Sequence, residues 1–413
     1  MSKKKKQRGG DRLPLDPNTP DARTHLKLGD RVTLDLTAVT PHGDVIGRHE
    51  GIVVFVPYVL PGERVEVEIS HVRRSFARGL PVQRLTDSPD RVTPPCPVFG
   101  VCGGCQWQHV RYEKQLEFKT DLVREQLTGI GKFENPNVLP CVPSPRPYEY
   151  RNRMQFSVSE TGHPGFHRPG TREIHNVIEI DDCLISDPQI REKLQGWTPD
   201  VGMNGAGELV HQIDVRVTDR EAEGGSILKV GQFEYFVSPQ SFFQVNVGMA
   251  EWLAQHVVDA LDLRGTETVL DLYCGVGLFT LPLAAKAARV FGVENNREAI
   301  EDAEKNKRQL PEDKQPVFIR ADVMKAIKKE PMVSEHFDAI VVDPPRAGVF
   351  YDVLMKLIEL RPQKLVYVSC DPATLARDLR ILCDNGYALL SAQPFDMFPQ
   401  THHIETLASL ALR

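Results

Sequence analysis

The second half of the chain alternates between helix and strand patterns, and this alternation constrains the fold more than any other feature. Helical periodicity is present at residues 248–262, 278–287, 297–309, 352–360 and 373–384. Short apolar runs rich in Val, Leu and Phe predict strands at 267–274, 289–294, 316–322, 337–345, 364–370, 388–394 and 406–412. This order predicts a doubly wound, Rossmann-like sheet of parallel strands, closed by a hairpin that places one antiparallel strand.

The first strand of this region runs into a glycine-containing turn, "VLDLYCGVGLF". The turn carries Asp271 followed by Gly275 and Gly277, which let the backbone approach a ligand closely. Thr280 stands where the dinucleotide fingerprint has its third glycine, so the close pyrophosphate packing of an NAD site is not favoured.

Acidic residues end three further strands of the predicted sheet. Glu294 lies about twenty residues after the turn, where an acid holds ribose hydroxyls in nucleotide-binding sheets. Asp322 and Asp343 end the next two strands. A nucleoside cofactor without a diphosphate fits this row, which predicts S-adenosylmethionine; a doubly wound protein without such a cofactor is the alternative.

Cys370 follows a later strand in "VYVSCDP". Free cysteine is more often a small buried hydrophobe than a nucleophile, but reactive groups of α/β proteins gather at the carboxyl ends of strands. If the reaction is methyl transfer, a thiolate added to C6 of uracil would make C5 nucleophilic. Removal of the C5 proton then needs a general base, for which Glu405, His402 and His403 are candidates.

The amino-terminal residues predict a basic tail and a small barrel. Residues 1–86 hold fifteen Lys and Arg against ten Asp and Glu, although the whole chain has a net charge of −6. Residues 1–23 are expected to be a flexible tail, and 24–87 show the alternation of a small, OB-like barrel. This segment resembles the TRAM domain of RNA-modifying enzymes. Its basic hairpin at 71–78 suits RNA, and a purely structural barrel is the alternative.

Residues 88–240 predict a β-rich domain. It contains a helix near 111–128, which is expected to pack on the catalytic domain. Three clustered cysteines lie at the start of this domain. Cys96, Cys102 and Cys105 are close in sequence, and in a reducing cytoplasm such a set indicates a metal site. Three thiolates require a fourth ligand, for which Cys141 and Cys183 are candidates. Zinc is the alternative to an iron-sulfur cluster.

Several motifs together resemble the RNA uracil-5 methyltransferase family, a class I S-adenosylmethionine-dependent family. They are "SFFQVN", "LDLYCGVGLFTLPLA", "VVDPPRAG", "YVSCDPATLARDL" and "FPQTHHIETLASL". The resemblance implies that Cys370 is the nucleophile and Glu405 the general base. It also implies the cofactor-binding residues Gln244, Tyr273, Glu294, Asp322 and Asp343.

The same resemblance selects Cys183 as the fourth ligand of a 4Fe-4S cluster. The implied metal ligands are Cys96, Cys102, Cys105 and Cys183. Such a cluster would order the structure or the RNA and would undergo no redox turnover during methylation.

The sequence thus predicts a multidomain α/β enzyme with a barrel at 24–87, a central iron-sulfur and RNA-binding domain at 88–240 and a methyltransferase domain at 241–413. Its expected substrate is a uridine of 23S ribosomal RNA. The alternatives are a tRNA T-loop uridine, methylation of an exocyclic amine, and an RNA-binding module whose catalysis has lapsed. Cytosine-5 methylation is disfavoured because no cysteine follows Pro344–Pro345.

RNA is the expected partner of this chain. The target base must leave any stack, and Phe242 or Phe243 could stack on it while Arg151 and Arg153 contact phosphate. Core packing and surface ion pairing are the alternatives for these side chains. No apolar run is long enough to cross a bilayer, so no membrane contact is expected. The protein is also expected to be cytoplasmic and monomeric.

Overall fold

The computed structural model describes residues 25–169, 176–198, 201 and 211–413. The predicted tail at 1–23 lies outside the described residues. The chain forms two compact units, Met1–Arg91 and Val92–Arg413. The predicted boundary near residue 240 falls within the second unit and stays a prediction. In the described part of the chain, no helix is both long and apolar enough to cross a membrane.

The first unit contains a closed five-stranded barrel, which confirms the prediction of a small barrel. Its strands are β1 (Arg31–Val39), β2 (Val45–His49), β3 (Ile52–Val56), β4 (Arg64–Val72) and β5 (Phe76–Thr86), in the order β1-β2-β3-β5-β4. Alternate residues of β1 are buried, because the side chains of a strand point in turn to its two faces. Arg73 and Arg74 lie exposed in the β4–β5 hairpin.

The second unit begins with a helix and two small sheets. The helices are α1 (Tyr112–Gly129) and α2 (Pro188–Gln195). The first sheet has the order β8-β7-β6-β9, with β6 (Arg153–Val158), β7 (Pro164–His167), β8 (Val177–Glu179) and β9 (Gln212–Arg216). The second has the order β10-β11-β12, with β10 (Arg220–Ala222), β11 (Gly225–Val230) and β12 (Phe233–Val237).

A seven-stranded sheet with flanking helices forms the rest of this unit. The strands are β13 (Thr268–Leu272), β14 (Arg289–Glu294), β15 (Val317–Arg320), β16 (Ala339–Val342), β17 (Lys364–Ser369), β18 (Tyr387–Phe395) and β19 (Glu405–Leu412). The helices are α3 (Val247–Leu261), α4 (Thr280–Lys286), α5 (Arg297–Asn306), α6 (Val323–Ala326), α7 (Tyr351–Leu360) and α8 (Pro372–Asp384).

The sheet has the order β15-β14-β13-β16-β17-β19-β18. The pairs from β15 to β17 are parallel, and β19 runs antiparallel to both β17 and β18. The prediction of a doubly wound sheet with a closing antiparallel strand is therefore confirmed. All four residues of β16, at the centre, are buried, as expected for a parallel strand covered on both faces.

A buried ion pair joins α1 to the segment that precedes the last strand. The Lys119 and Asp396 side chains are both fully buried, and Lys119 Nζ lies 2.5 Å from Asp396 Oδ1. Lys119 Nζ also donates to the carbonyl oxygens of Phe398 at 3.1 Å and His403 at 2.8 Å. The Tyr112 hydroxyl donates to Asp396 Oδ2 at 2.7 Å. Helix α1 is thereby attached to residues 396–404.

We expect Lys119→Met to lower the free energy of unfolding of this unit by about 3–5 kcal/mol, because Asp396 would remain buried without its cation. Calorimetric melting of the full chain measures this loss.

Lys114→Met is the matched control on the same helix. Lys114 pairs with Glu117 near the surface, and loss of such a pair should cost less than about 1 kcal/mol. Equal losses of unfolding free energy in the two variants would show that the buried pair of Lys119 and Asp396 contributes no more to stability than the surface pair.

Candidate active site

The antiparallel insertion of β19 brings the two predicted catalytic residues to one edge of the sheet. Ser369, the last residue of β17, is paired with Thr406 of β19. Cys370 directly follows Ser369, and Glu405 directly precedes Thr406. Continuation of the same antiparallel register therefore sets Cys370 and Glu405 opposite each other. Glu405 is buried and Cys370 is half-buried.

The turn that holds Cys370 is fixed by its neighbours in the sequence. Asp371 caps α8, since its Oδ1 accepts from the backbone N–H groups of Ala373 at 3.0 Å and Thr374 at 2.9 Å. Pro372 occupies the first turn of the helix, where its missing N–H costs nothing. The Asp371 N–H donates to Ser369 Oγ at 3.1 Å. These bonds set the position of Cys370 at the end of β17.

Burial opposes ionisation of both groups. It raises the pKa of the Cys370 thiol to about 11, and the neighbouring carboxyls of Glu405 and Asp343 act in the same direction. The pKa of Glu405 is raised well above its usual value, first by burial and then by Asp343. The pKa of Asp343 rises to about 7, through burial and the charge of Glu294.

Arg346 is a site residue to which the sequence analysis gave no role. Its guanidinium acts against burial by lowering the pKa of both Cys370 and Glu405. Its Nη2 also donates to His403 Nδ1 at 3.1 Å. The sequence signal that could have identified Arg346 is its position directly after Pro344–Pro345, within the motif "VVDPPRAG".

The structure distinguishes His403 from Glu405 as a candidate base. Burial lowers the pKa of His403 to about 4, with further lowering by Arg346, Lys119 and Arg151. Its Nδ1 is an acceptor toward Arg346, which fits a neutral ring with the proton on Nε2. The ring of His402 packs against that of His403 at an angle of 39°, with the ring centroids 4.3 Å apart.

The predicted cofactor turn has the backbone conformation that its glycines suggest. Gly275 and Gly277 have φ of 55° and 96°, and Tyr273 is also left-handed with φ of 65°. The Gly275 N–H donates to Glu294 Oε2 at 3.2 Å. Thr280, which replaces the third glycine, donates through its hydroxyl to the buried carboxyl of Asp271 at 2.5 Å.

The predicted cofactor residues Tyr273, Asp322 and Asp343 lie in or beside this turn. The pKa of Tyr273 is raised to about 12 by burial and by nearby carboxyls that include Asp322 and Glu294. Asp322 also caps α6 through the Lys325 N–H. The Asp343 N–H donates to Leu272 O at 3.2 Å, beside the turn. Gln244 is buried in the loop between β12 and α3.

The four cysteines of the predicted metal site line one cavity of ≈ 280 Å³. They are Cys96, Cys102, Cys105 and Cys183. Burial raises the pKa of Cys102 to about 11 and of Cys105 to about 12, with smaller contributions from the neighbouring thiols. The Gly104 N–H donates to Cys102 Sγ at 3.4 Å. Cys141 lies elsewhere, near Lys119 and Asp396.

In the described ranges, no group of three or more His, Cys, Asp or Glu side chains is arranged to hold a metal ion. A tetranuclear cluster occupies a larger volume than a zinc ion with its four ligands at about 2.3 Å. The 4Fe-4S cluster therefore stays a prediction, and the cavity that the four cysteines share is the observation that motivates it.

The candidate RNA-contacting side chains have different environments. Phe242 is 70 % exposed, whereas Phe243 is packed in the core. Arg153 forms a bidentate ion pair with Asp214. Arg151 Nε donates to Arg153 O at 3.1 Å. Phe242 is therefore available to a base, and Phe243 has the packing role.

Comparison with known proteins agrees with this geometry. The profile of the tRNA (Uracil-5-)-methyltransferase family matches residues 226–412, and that of the TRAM domain matches residues 26–82. An RNA methyltransferase of Bdellovibrio bacteriovorus is 35% identical, with 99% of both chains covered. One from Caldanaerobacter subterraneus subsp. tengcongensis is 32% identical, covering 93% of this chain and 98% of the relative.

A solved structure resembles nearly the whole chain. The tRNA (uracil-54, C5)-methyltransferase of Pyrococcus abyssi, in complex with S-adenosyl-L-homocysteine, has a TM-score of 0.70 and 25% identity. The match covers 92% of this chain and 100% of that one. On the combined evidence of motifs, fold and relatives, the chain belongs to the family of S-adenosylmethionine-dependent RNA uracil-5 methyltransferases.

Proposed function

We propose that this enzyme methylates C5 of a uridine in 23S ribosomal RNA, with Cys370 as nucleophile and Glu405 as general base. The observation that carries the proposal is the register of β17 and β19, which sets these residues opposite each other. Arg346, whose charge lowers the pKa of both, lies beside them.

Cys370 forms the covalent bond to the substrate. Its thiolate adds to C6 of uracil, and the electron pair of the C5=C6 bond moves toward C5 and the C4 carbonyl. Arg346 supports this step because its positive charge favours the thiolate that burial disfavours. S-adenosylmethionine, when bound, supplies a methyl group on a sulfonium that the nucleophilic C5 can take.

Glu405 removes the proton from C5 after methylation. The electrons of the C5–H bond restore the C5=C6 double bond, and the bond from C6 to Cys370 breaks to release the thiolate. A carboxyl whose pKa is raised is a stronger base than an ordinary glutamate, whereas His403 has a pKa of about 4. These opposite shifts favour Glu405 over the histidine.

The cofactor would lie against the turn after β13. Glu294, at the end of β14, is placed for the ribose hydroxyls, as acids are at this position in nucleotide-binding sheets. Tyr273 lies close enough to Glu294 and Asp322 for their charges to raise its pKa. Asp343 interacts electrostatically with Glu294 on one side and with Glu405 on the other. Gln244 completes the proposed set.

Ribosomal RNA is the proposed target because the chain combines a TRAM barrel with the four-cysteine cavity. In the family, this combination is typical of the enzymes that modify the large ribosomal RNA. A uridine of tRNA is the second candidate, favoured by the similarity to the Pyrococcus abyssi enzyme, which acts on uracil 54 of tRNA. Either target must present an unstacked base, on which the exposed Phe242 could stack.

A 4Fe-4S cluster is the proposed occupant of the cysteine cavity. Cys96, Cys102, Cys105 and Cys183 would hold it, and the cluster would fix the loop of residues 96–105 against residues 180–185. No step of methyl transfer uses the cluster. The enzyme is proposed to act as a monomer in the cytoplasm, where cysteines are kept reduced and are available to bind metal.

RNA in which uridine is replaced by 5-fluorouridine should form a lasting covalent adduct with Cys370, because fluorine at C5 cannot leave as a proton. Mass spectrometry after incubation with S-adenosylmethionine locates the adduct on the peptide and on the nucleotide. Unmodified ribosomal RNA and tRNA, offered in parallel, identify the target.

Cys370→Ala should abolish both adduct and methylation, whereas Cys383→Ala, which changes a buried thiol of α8, should retain them. An adduct on another residue, or full methylation by Cys370→Ala, would exclude the proposed mechanism. Methylation of tRNA alone would transfer the proposal to the second target.

Glu405→Gln should slow turnover by roughly 10²–10⁴-fold, since the amide keeps the shape of the side chain but cannot take the C5 proton. With ordinary uridine RNA, a methylated covalent complex should accumulate on denaturing gels. His403→Gln is the comparison; accumulation with that variant instead of Glu405→Gln would assign the base to the histidine.

The cluster is tested by anaerobic purification and iron and zinc analysis. We expect about four iron atoms per chain and a brown colour, both lost in Cys183→Ser and kept in Cys141→Ser. One zinc ion per chain in a colourless protein would contradict the cluster.

A further inference from the structure

Two exposed aromatic side chains follow the acid–proline motif at the active site. Phe350 is 73 % exposed and Tyr351 is 62 % exposed. Phe350 occupies the N-cap of α7 and forms no side-chain capping bond, although Ser, Thr, Asp and Asn are favoured at such positions. An exposed aromatic that departs from a local preference indicates a contact outside the chain. We call Phe350 and Tyr351 the aromatic pair.

The loop that carries the aromatic pair is firmly held. The Val349 N–H donates to Asp378 Oδ2 at 2.8 Å, and the hydroxyl of Tyr367 donates to the same atom at 2.7 Å. Gly348 has φ of 76°, and a Cβ there would lie 2.5 Å from Asp378 Oδ2. This close approach presses the loop against α8, so the aromatic pair is presented by a rigid support.

The same helix connects the loop to Cys370. Thr374 Oγ1 donates to Arg346 O at 3.2 Å, and Arg377 Nη2 donates to Ala347 O at 3.0 Å. Both donors belong to α8, whose capping residue directly follows Cys370. The loop that carries the aromatic pair and the turn of the proposed nucleophile are thus both attached to one helix.

We propose that the aromatic pair is a stacking platform for an unpaired base of the substrate RNA, next to the uridine at Cys370. This inference rests on the proposed function. Aromatic rings stack on the face of any base, and neighbouring arginines attract the phosphates between bases. Arg346 is exposed beside the loop, and the Arg377 side chain is 49% exposed. This combination of rings and cations fits single-stranded RNA.

The test uses a fluorescent, uridine-free RNA of about ten nucleotides, a length within the range of single-strand sites. Without uridine, the oligonucleotide cannot place the proposed target base at Cys370. A second oligonucleotide has the same sugar–phosphate backbone without bases at its central positions. Anisotropy titrations compare the wild type with the double variant Phe350→Ala/Tyr351→Ala.

We expect the double variant to bind the base-containing RNA at least about tenfold more weakly, because stacking on the removed rings is lost. Its affinity for the abasic RNA should equal that of the wild type. Trp252→Ala, which removes an exposed aromatic of α3, should leave both affinities unchanged. Phe350→Tyr, which keeps the ring, should retain wild-type binding.

Kinetics with unmodified ribosomal RNA and tRNA separate this inference from the proposed function. The double variant should raise KM for the RNA that is methylated by about tenfold, with little change in kcat. If the wild type methylates neither RNA, the proposed function fails. If the double variant keeps the wild-type KM and the wild-type affinity for the oligonucleotide, only the stacking platform is refuted.

Two other outcomes would also overturn the platform. Equal weakening toward the base-containing and abasic RNAs would indicate a general loss of structure or charge contact. Dimerisation of the wild type that the double variant loses would assign the aromatic pair to a protein interface.

Discussion

The catalytic arrangement depends on the buried ammonium of Lys119. Its three protons meet three acceptors, the Asp396 carboxylate and the carbonyl oxygens of Phe398 and His403. A buried lysine is stable only when it is paired and hydrogen-bonded in this way. Since the acceptors span residues 396–403, this cation helps to fix the course of the segment that leads into β19. Helix α1, far away in the sequence, is therefore part of the catalytic fold.

The direction of β19 explains how the proposed base, Glu405, reaches the proposed nucleophile, Cys370. In a parallel sheet, groups at the carboxyl edge come from the ends of strands, as Asp343 and Cys370 do. An antiparallel strand inserted beside β17 contributes the residue at its beginning to the same edge, and that residue is Glu405. The position of Glu405 thus follows from both the hairpin topology and the segment that Lys119 holds.

Apart from the short helix α6, which was missed, the order of elements after residue 247 could be predicted from periodicity, with boundaries displaced by a few residues. Helix α2 was missed, because it is short and lies between segments that read as strands and turns. Cys370 could be singled out from its place at a strand end. The choice of Glu405 over the adjacent histidines required family resemblance, because local sequence does not fix which side chain points inward. The contact of Lys119 with Asp396 joins residues 277 positions apart, which no local pattern reveals.

The charges at the site suggest why one arginine can serve two groups. Burial raises the pKa of Cys370 to about 11, so its thiol is mostly un-ionised at neutral pH. Burial and Asp343 disfavour the Glu405 carboxylate as well, and Arg346 favours both anions. In the proposed reaction, the two anions are needed in turn. Once the sulfur is bonded to C6 it is neutral, and the full effect of Arg346 passes to Glu405. Expulsion of the thiolate, after Glu405 has taken the proton, returns the negative charge to the sulfur beside the same guanidinium.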